Sequence, residues 1–270
     1  MARSRTAQVL VHRYCRDDAG TPRRVPDELI VEEALEVHLD GALVATTMRT
    51  PGHDFELAVG LCTTDGLLAG AAVLGARYCA TGSAVETAFN VVTVETGGAA
   101  PRPTPRLTTT TSACGMCGTT ALDDLAGRLS LLAPDPDGPF PLDVLADAVD
   151  RVRTDQPLFA ATGAVHAAAV VARDGRVLLV REDIGRHNAV DKVVGRLALD
   201  GGLPATGVAL YVSGRASYEI VQKAWAAGIT TVVAVSAPSS LAVAAARRAG
   251  MTLAGFVRGD RMNVYAPEEL

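Results

Sequence analysis

Apolar and polar residues alternate one for one over Leu35-Glu36-Val37-His38-Leu39, the period of a half-buried strand. Asp40-Gly41 then turns the chain into a second strand, Leu43 to Met48. Thr50-Pro51-Gly52-His53-Asp54 ends that strand, and Asp54 is placed to cap a helix through Leu57, Leu61 and Leu67. A further strand around Phe89 to Glu95 completes a small mixed unit. Residues 1–27 are charged and aperiodic and are expected to form a loose arm, so the α+β unit spans 28–110.

The rhythm changes after Gly97. From there to Thr111 the chain carries Gly-Gly, three prolines and a threonine run, the composition of a loop or linker. A helix is expected after Thr119-Thr120 through Leu122, Leu125 and Leu129, and another from Leu142 to Arg153. The small-residue run Ala164 to Ala172 is followed by Asp174-Gly175, a hairpin signal leading into Val177 to Val180. Beyond it, helices from about Asn188 to Leu199, Tyr218 to Ala227 and Leu241 to Ala249 alternate with apolar runs. Those runs are Val208 to Val212, Thr231 to Val235 and Leu253 to Val257. Apolar strands alternating with helices predict an α/β layered domain over 111–270, with a largely buried sheet.

Composition narrows the function classes. The 270 residues are 49% hydrophobic and 20% charged, which suits a core-forming protein. A net charge of -5 gives no general attraction to nucleic acid or an anionic membrane, although local basic pockets remain open. No apolar run reaches the ~18 residues of a membrane span, and no signal-peptide core follows Met1 to Arg5, so a cytoplasmic location is expected. The five cysteines, at 15, 62, 79, 114 and 117, are odd in number and thinly spread. That argues for reduced thiols rather than a disulfide framework.

Chemistry concentrates in four polar segments. Thr111-Ser112-Ala113-Cys114-Gly115-Met116-Cys117-Gly118 places two thiols beside glycines at the end of the linker. A helix starting just after them would lower the pKa of the nearer thiol, as nucleophilic sulfur chemistry requires. Zinc needs four ligands in a structural site, and the motif supplies two with no second CxxC. A zinc deaminase needs His-x-Glu ahead of Pro-Cys-x-x-Cys; no His-x-Glu occurs, and Ala113 precedes Cys114. No metal site is therefore expected; sulfur carriage and, less favoured after a linker, disulfide exchange stay open beside the plain reading of two small apolar residues in a turn.

The block Arg181 to Lys192 lies between a strand and a helix, where α/β folds place ligands. Arg186 and His187 there either hold an anion with the helix N–H groups or belong to a salt-bridged, capped helix start. At the next such junction, Ser213, Gly214 and Arg215 are suited to a phosphate, while Ser217 is equally suited to capping the helix. In Phe256-Val257-Arg258-Gly259-Asp260-Arg261, two arginines flank a Gly-Asp turn. They suit phosphate, and the aspartate suits the N–H edge of a guanine, unless the turn is a plain surface hairpin. His166, on a run of small residues, reads as a hydrogen-bonded core histidine with room beside it.

Together these segments resemble the FdhD/NarQ family, the sulfur carrier accessory proteins of formate dehydrogenase. The resemblance lies in Glu33 to Leu68 (with Thr47-Met48-Arg49-Thr50-Pro51-Gly52), Ser112 to Gly118, Arg181 to Gly195, Ser213 to Gly228 and Ser236 to Tyr265. One departure is Ala34, where proline is common in the family; it lies away from the chemistry. The resemblance implies a cytidine-deaminase-like α/β domain with a smaller α+β N-terminal domain, usually as a homodimer. It implies a sulfurtransferase that accepts sulfur from a cysteine desulfurase as a persulfide. The sulfur then passes to the molybdenum or tungsten of a bis-molybdopterin guanine dinucleotide cofactor, before that cofactor enters formate dehydrogenase. By motif position Cys114 matches the persulfide-bearing cysteine and Cys117 its neighbour. The cofactor stretch falls on Phe256, Val257, Arg258, Gly259, Asp260 and Arg261, with Ser213, Arg215 and His187 as further candidates, and GDP would mimic the ligand. Two other readings compete: a cofactor-binding chaperone that moves no sulfur, and a CxxC thiol-disulfide oxidoreductase.

Overall fold

A computed structural model describes residues 3–16, 21–79, 83–102, 127 and 129–269. Its larger sheet has six strands in the order β12-β11-β10-β9-β7-β8. These are β7 (His166–Ala172), β8 (Val177–Asp183), β9 (Val208–Val212), β10 (Thr231–Ala234), β11 (Thr252–Arg258) and β12 (Arg261–Ala266). Strands β9, β10 and β11 run parallel; β7, β8 and β12 pair antiparallel. Helices α4 (Arg186–Leu199), α5 (Tyr218–Ala226) and α6 (Ser240–Ala249) follow β8, β9 and β10 in turn.

Strand alternation divides the apolar residues between two faces. Ala168, Val170, Leu210, Val212 and Val232 meet Val190, Val193, Ile220 and Ala246 of the helices on one face. Their neighbours Ala169, Val171, Ala209, Tyr211 and Val233 pack on Leu145, Ala148 and Val152 of α2 (Leu142–Arg153) on the other. Burial on both sides is why these strands are nearly uninterrupted apolar runs in the sequence. The fold class expected from the sequence is the one observed.

The smaller unit is a four-stranded sheet, β4-β3-β6-β5, with one helix against it. It comprises β3 (Glu33–Leu39), β4 (Ala42–Arg49), α1 (Asp54–Thr64), β5 (Gly75–Tyr78) and β6 (Val91–Glu95). Its core is Leu35, Val37, Leu39, Leu57, Val92 and Val94. Asp40 and Gly41 form the expected turn, with φ of 47° and 87°. Helix α1 stops at Thr64, short of Leu67, and Gly66 then takes a φ of 71°. Asp54 is the first helical residue rather than the cap; its carboxylate accepts from Gly52 N (3.1 Å) and from the Arg49 guanidinium.

Residues 1–27 correct the expectation of a loose arm. β1 (Thr6–Arg13) and β2 (Arg23–Ile30) form an antiparallel hairpin, in register from Thr6↔Ile30 to Arg13↔Arg23. No residue of either strand is fully buried, so no apolar period marks the hairpin in the sequence. What holds its base is distant in sequence: Arg3 bonds Glu33 and Asn90, and Val31 N donates to Arg5 O. The boundary expected at residue 28 falls inside β2. Three further short elements went unforeseen, β5, the six-residue α3 (Pro157–Thr162) and the edge strand β12. The helix expected after Thr119 lies outside the described residues through Leu125.

The two units join helix to helix. Gly60 of α1 and Gly195 of α4 let the backbones touch: a Cβ on either would overlap the other helix's main chain, at Asp191 O and Glu56 O respectively. Around this contact runs a buried polar interlock. Arg181 donates to both oxygens of Glu56 (2.5 and 2.8 Å). Burial pushes the Glu56 carboxyl up, but the Arg181 and His53 hydrogen bonds outweigh it and hold the group at about 2. Lys192 pairs with Asp183 at 2.6 Å, both side chains fully buried. Thr64 and Lys223 both donate to Asp191 at 2.8 Å.

Candidate functional site

The block from Arg181 to Lys192 divides in two. Most of its polar groups serve the interlock. Glu182 accepts from Leu158 N and Phe159 N, so it holds the start of α3. Asp183 accepts from Thr50 N (3.2 Å), Gly185 N (2.8 Å) and Asn188 Nδ2 (3.0 Å). Asn188 also donates to Met48 O, tying the block to Thr47-Met48-Arg49-Thr50. Arg186 and His187 remain, at the N-terminus of α4, and both face the sheet edge where β8, β9, β10 and β11 end and β7 begins.

That edge gathers several predicted residues. Ser213 Oγ accepts from Ala167 N (2.9 Å) and lies 3.4 Å from His166 Nδ1. Ser217 sits at the N-cap of α5, yet its side chain makes no cap bond; its Oγ lies 3.4 Å from His187 Nε2. The Arg186 side chain runs past Gly214, where any Cβ would meet both its Cδ (3.8 Å) and the His166 ring (3.4 Å). Arg186 Nε is buried with no hydrogen-bond partner among the described residues. Such a donor is costly to leave unpaired, and it fits an anionic ligand.

Both histidines are held in the neutral form. Burial lowers the His187 pKa to about 4, helped by the charges of Arg186 and Lys223. Burial and Arg186 lower that of His166. At neutral pH each ring therefore has one N–H donor and one acceptor, so charge attraction at this edge comes from arginine. Among the described residues no group of three or more His, Cys, Asp or Glu is placed to hold a metal ion.

The 256–261 segment borders the same edge through a backbone ladder. Ser236 N donates to Gly214 O, and Phe256 N donates to Ser236 O, each at 3.3 Å. A bulge between Gly255 and Arg258 gives Phe256 a φ of 53° and leaves its ring 41% exposed. A positive φ at an exposed aromatic is strain of the kind that gathers at ligand sites. Val257 points the other way and is buried against α2. Arg258, Gly259, Asp260 and Arg261 form the exposed hairpin tip, with Arg258 opposite Arg261. Arg215 is exposed in the β9–α5 loop. Cys114 and Cys117 lie outside the described residues.

Behind the edge, on the α2 side of the sheet, lies a cavity of about 460 Å3. His166 and Ser213 stand in its lining with Phe159, Gln156, Tyr211 and Val235. Sequence reasoning placed His166 in the core and missed Gln156 and Phe159. The only hint was the alanine run beside His166, which leaves space for a ligand.

Residues 30–270 match the model of the FdhD/NarQ family. The chain is 48% identical to the sulfur carrier protein FdhD of Nocardia farcinica over 250 residues, covering 92% of this chain and 89% of that one. The protein of the same name from Streptomyces coelicolor is 48% identical over 260 residues, covering 93% and 90%. That from Corynebacterium efficiens is 45% identical over 256 residues, covering 90% of each. The crystal structure of a protein described as a formate dehydrogenase accessory protein, from Desulfotalea psychrophila, superposes with a TM-score of 0.71 over 97% of each chain. At 24% identity that likeness bears on the fold alone. By family model and by relatives across nearly its whole length, the chain belongs to the FdhD/NarQ family.

Proposed function

We propose that this chain is a sulfur carrier that serves formate dehydrogenase and acts as a sulfurtransferase through Cys114. The observation that carries the reading is the cysteine pair within the region matched to a family whose relatives are named sulfur carriers. In the first step the Cys114 thiolate attacks the outer sulfur of a persulfide on a cysteine desulfurase. A new S–S bond forms on Cys114, the donor's S–S bond breaks, and the donor leaves as a thiolate. In the second step the outer sulfur passes to the metal of the bis-molybdopterin guanine dinucleotide, molybdenum or tungsten. Attack by the Cys117 thiolate on Cys114 Sγ would release that sulfur at the sulfide level and leave a Cys114–Cys117 disulfide, which a cellular dithiol must reduce before the next cycle. The reading includes a homodimer in the cytoplasm, where thiols stay reduced.

The acceptor is anionic and carries guanine. Arg258 and Arg261 at the hairpin tip, with the orphaned Arg186 Nε on the adjoining edge, suit its phosphates. Asp260 between the arginines suits the N–H edge of the base. In a host lacking its own carrier, the wild-type chain should restore formate dehydrogenase activity. Cys114→Ala should leave that activity at background while the enzyme polypeptide accumulates normally. Full restoration by Cys114→Ala would replace sulfur transfer with a cofactor-holding role.

A further inference from the structure

Lys192 and Lys223 are the only lysines among the 25 lysine and arginine residues of the chain, and both lie in the interlock between the two units. The Lys192 side chain is fully buried and that of Lys223 is 10% exposed. An ammonium has three N–H donors. Lys192 Nζ faces Asp183 (2.6 Å), Thr50 O (3.0 Å) and Glu182 O (3.4 Å). Lys223 Nζ faces Asp191 (2.8 Å), Thr64 Oγ1 (2.9 Å) and Asp65 (3.5 Å). Each nitrogen is therefore enclosed by three oxygens and closed to a reagent. Stability does not dictate this distribution. The exposed i,i+4 pairs on α2 and α4 use Arg151 with Asp147 and Arg196 with Asp200, where lysine would pair as well. Buried pairs, by contrast, commonly favour arginine, yet the interlock holds both lysines.

We infer that Lys192 and Lys223 form a modification site gated by the docking of the two units: each accepts an acyl group only after α1, α4 and α5 part, and once attached the group keeps them apart. The reagent is an activated acyl donor, in a cell a thioester. The nitrogen gives up a proton and attacks the acyl carbon. An N–C bond forms, the C–S bond breaks, the thiolate leaves, and a second proton departs from the nitrogen. The resulting amide is uncharged and larger than the ammonium it replaces. Asp183 and Asp191, both buried, would lose the ammonium paired with each, and breaking a buried pair in this way is strongly destabilising. A fully enclosed Lys192 site also has no space for the added group. Proteins of ordinary stability are open about 10⁻³ of the time or less, so closed chains escape the reaction and unclosed ones are marked. The cysteines and the acceptor edge take no part, so the inference stands apart from the sulfur reading.

Acetylation of the full chain with N-hydroxysuccinimidyl acetate, in buffer and in graded urea, tests this, with site occupancy read by peptide mass spectrometry. Arg196→Lys places an exposed amine on the same helix and supplies the reference rate. Without urea, Lys192 and Lys223 should react at least about a hundredfold more slowly than that amine. The three should react at similar rates once the chain is unfolded. In a partly labelled sample, size exclusion without urea should find acetylated Lys192 and Lys223 in the expanded fraction and not in the native peak. Reaction of either lysine in the folded chain as fast as the reference amine would overturn the gate. Acetylated Lys192 or Lys223 recovered in the native peak, in proportion to its share of the sample, would overturn the lock.

Discussion

Gly195→Ala should lower the melting temperature by roughly 6–12 °C or leave the chain insoluble. On an exposed helix this change would stabilise by about 1 kcal/mol. Here the added methyl would overlap the Glu56 carbonyl and the Gly60 nitrogen, both of them backbone atoms that no rotamer change can move. Helices α1 and α4 must separate, and with them the polar contacts between the two units. Overpacking commonly costs about 1–3 kcal/mol and occasionally more; a backbone-on-backbone clash belongs at the upper end. Gly60→Ala should behave alike, because its Cβ would overlap Asp191 O. The double variant should cost clearly less than the sum, since helices already parted admit the second methyl. Thermal melts check this, and a Gly195→Ala protein as stable as wild type would show that the helices do not meet so closely.

Lys192→Met is the second large effect, expected to cost about 3–5 kcal/mol. The change keeps most of the side-chain length and removes the charge. It leaves Asp183, fully buried, with its three hydrogen bonds from Thr50, Gly185 and Asn188 but without the ammonium paired with it. Thr50 O also loses the bond from Lys192 Nζ (3.0 Å). Arg196→Met, which breaks the exposed Arg196–Asp200 pair one turn further along α4, is the matched control. It should change stability by less than about 1 kcal/mol. Denaturant melts of the two variants separate the cases; equal losses would contradict a buried electrostatic interlock.

These two variants also show what could be read from the sequence. The alternation of Leu35 to Leu39 and the apolar runs of β9, β10 and β11 were legible because burial imprints a period on the residues that supply it. Asp174-Gly175 was legible as a turn because Gly175 takes a φ of 81° that other residues avoid. The hairpin β1–β2 was not, because no residue of it is fully buried and Arg3 finds its partners 30 and 87 positions away. Nor was the role of Gly60 and Gly195, since only the docked helices bring them together. The polar block from Arg181 to Lys192 showed that charge was needed there but not which charge faced inward. Tertiary packing sent Asp183 and Lys192 into the interlock and left Arg186 and His187 at the sheet edge. His166 and Ser213 become neighbours through the pairing of β7 with β9, which one-dimensional spacing does not display.

Whether sulfur comes to rest on Cys114 is the question on which the functional account stands. Incubate the reduced chain with a cysteine desulfurase and cysteine, and measure intact mass before and after adding dithiothreitol. The account predicts a gain of one sulfur atom that dithiothreitol removes, present in wild type and Cys117→Ala and absent in Cys114→Ala. A wild-type chain that gains no sulfur, or a Cys114→Ala chain that gains as much, would contradict it.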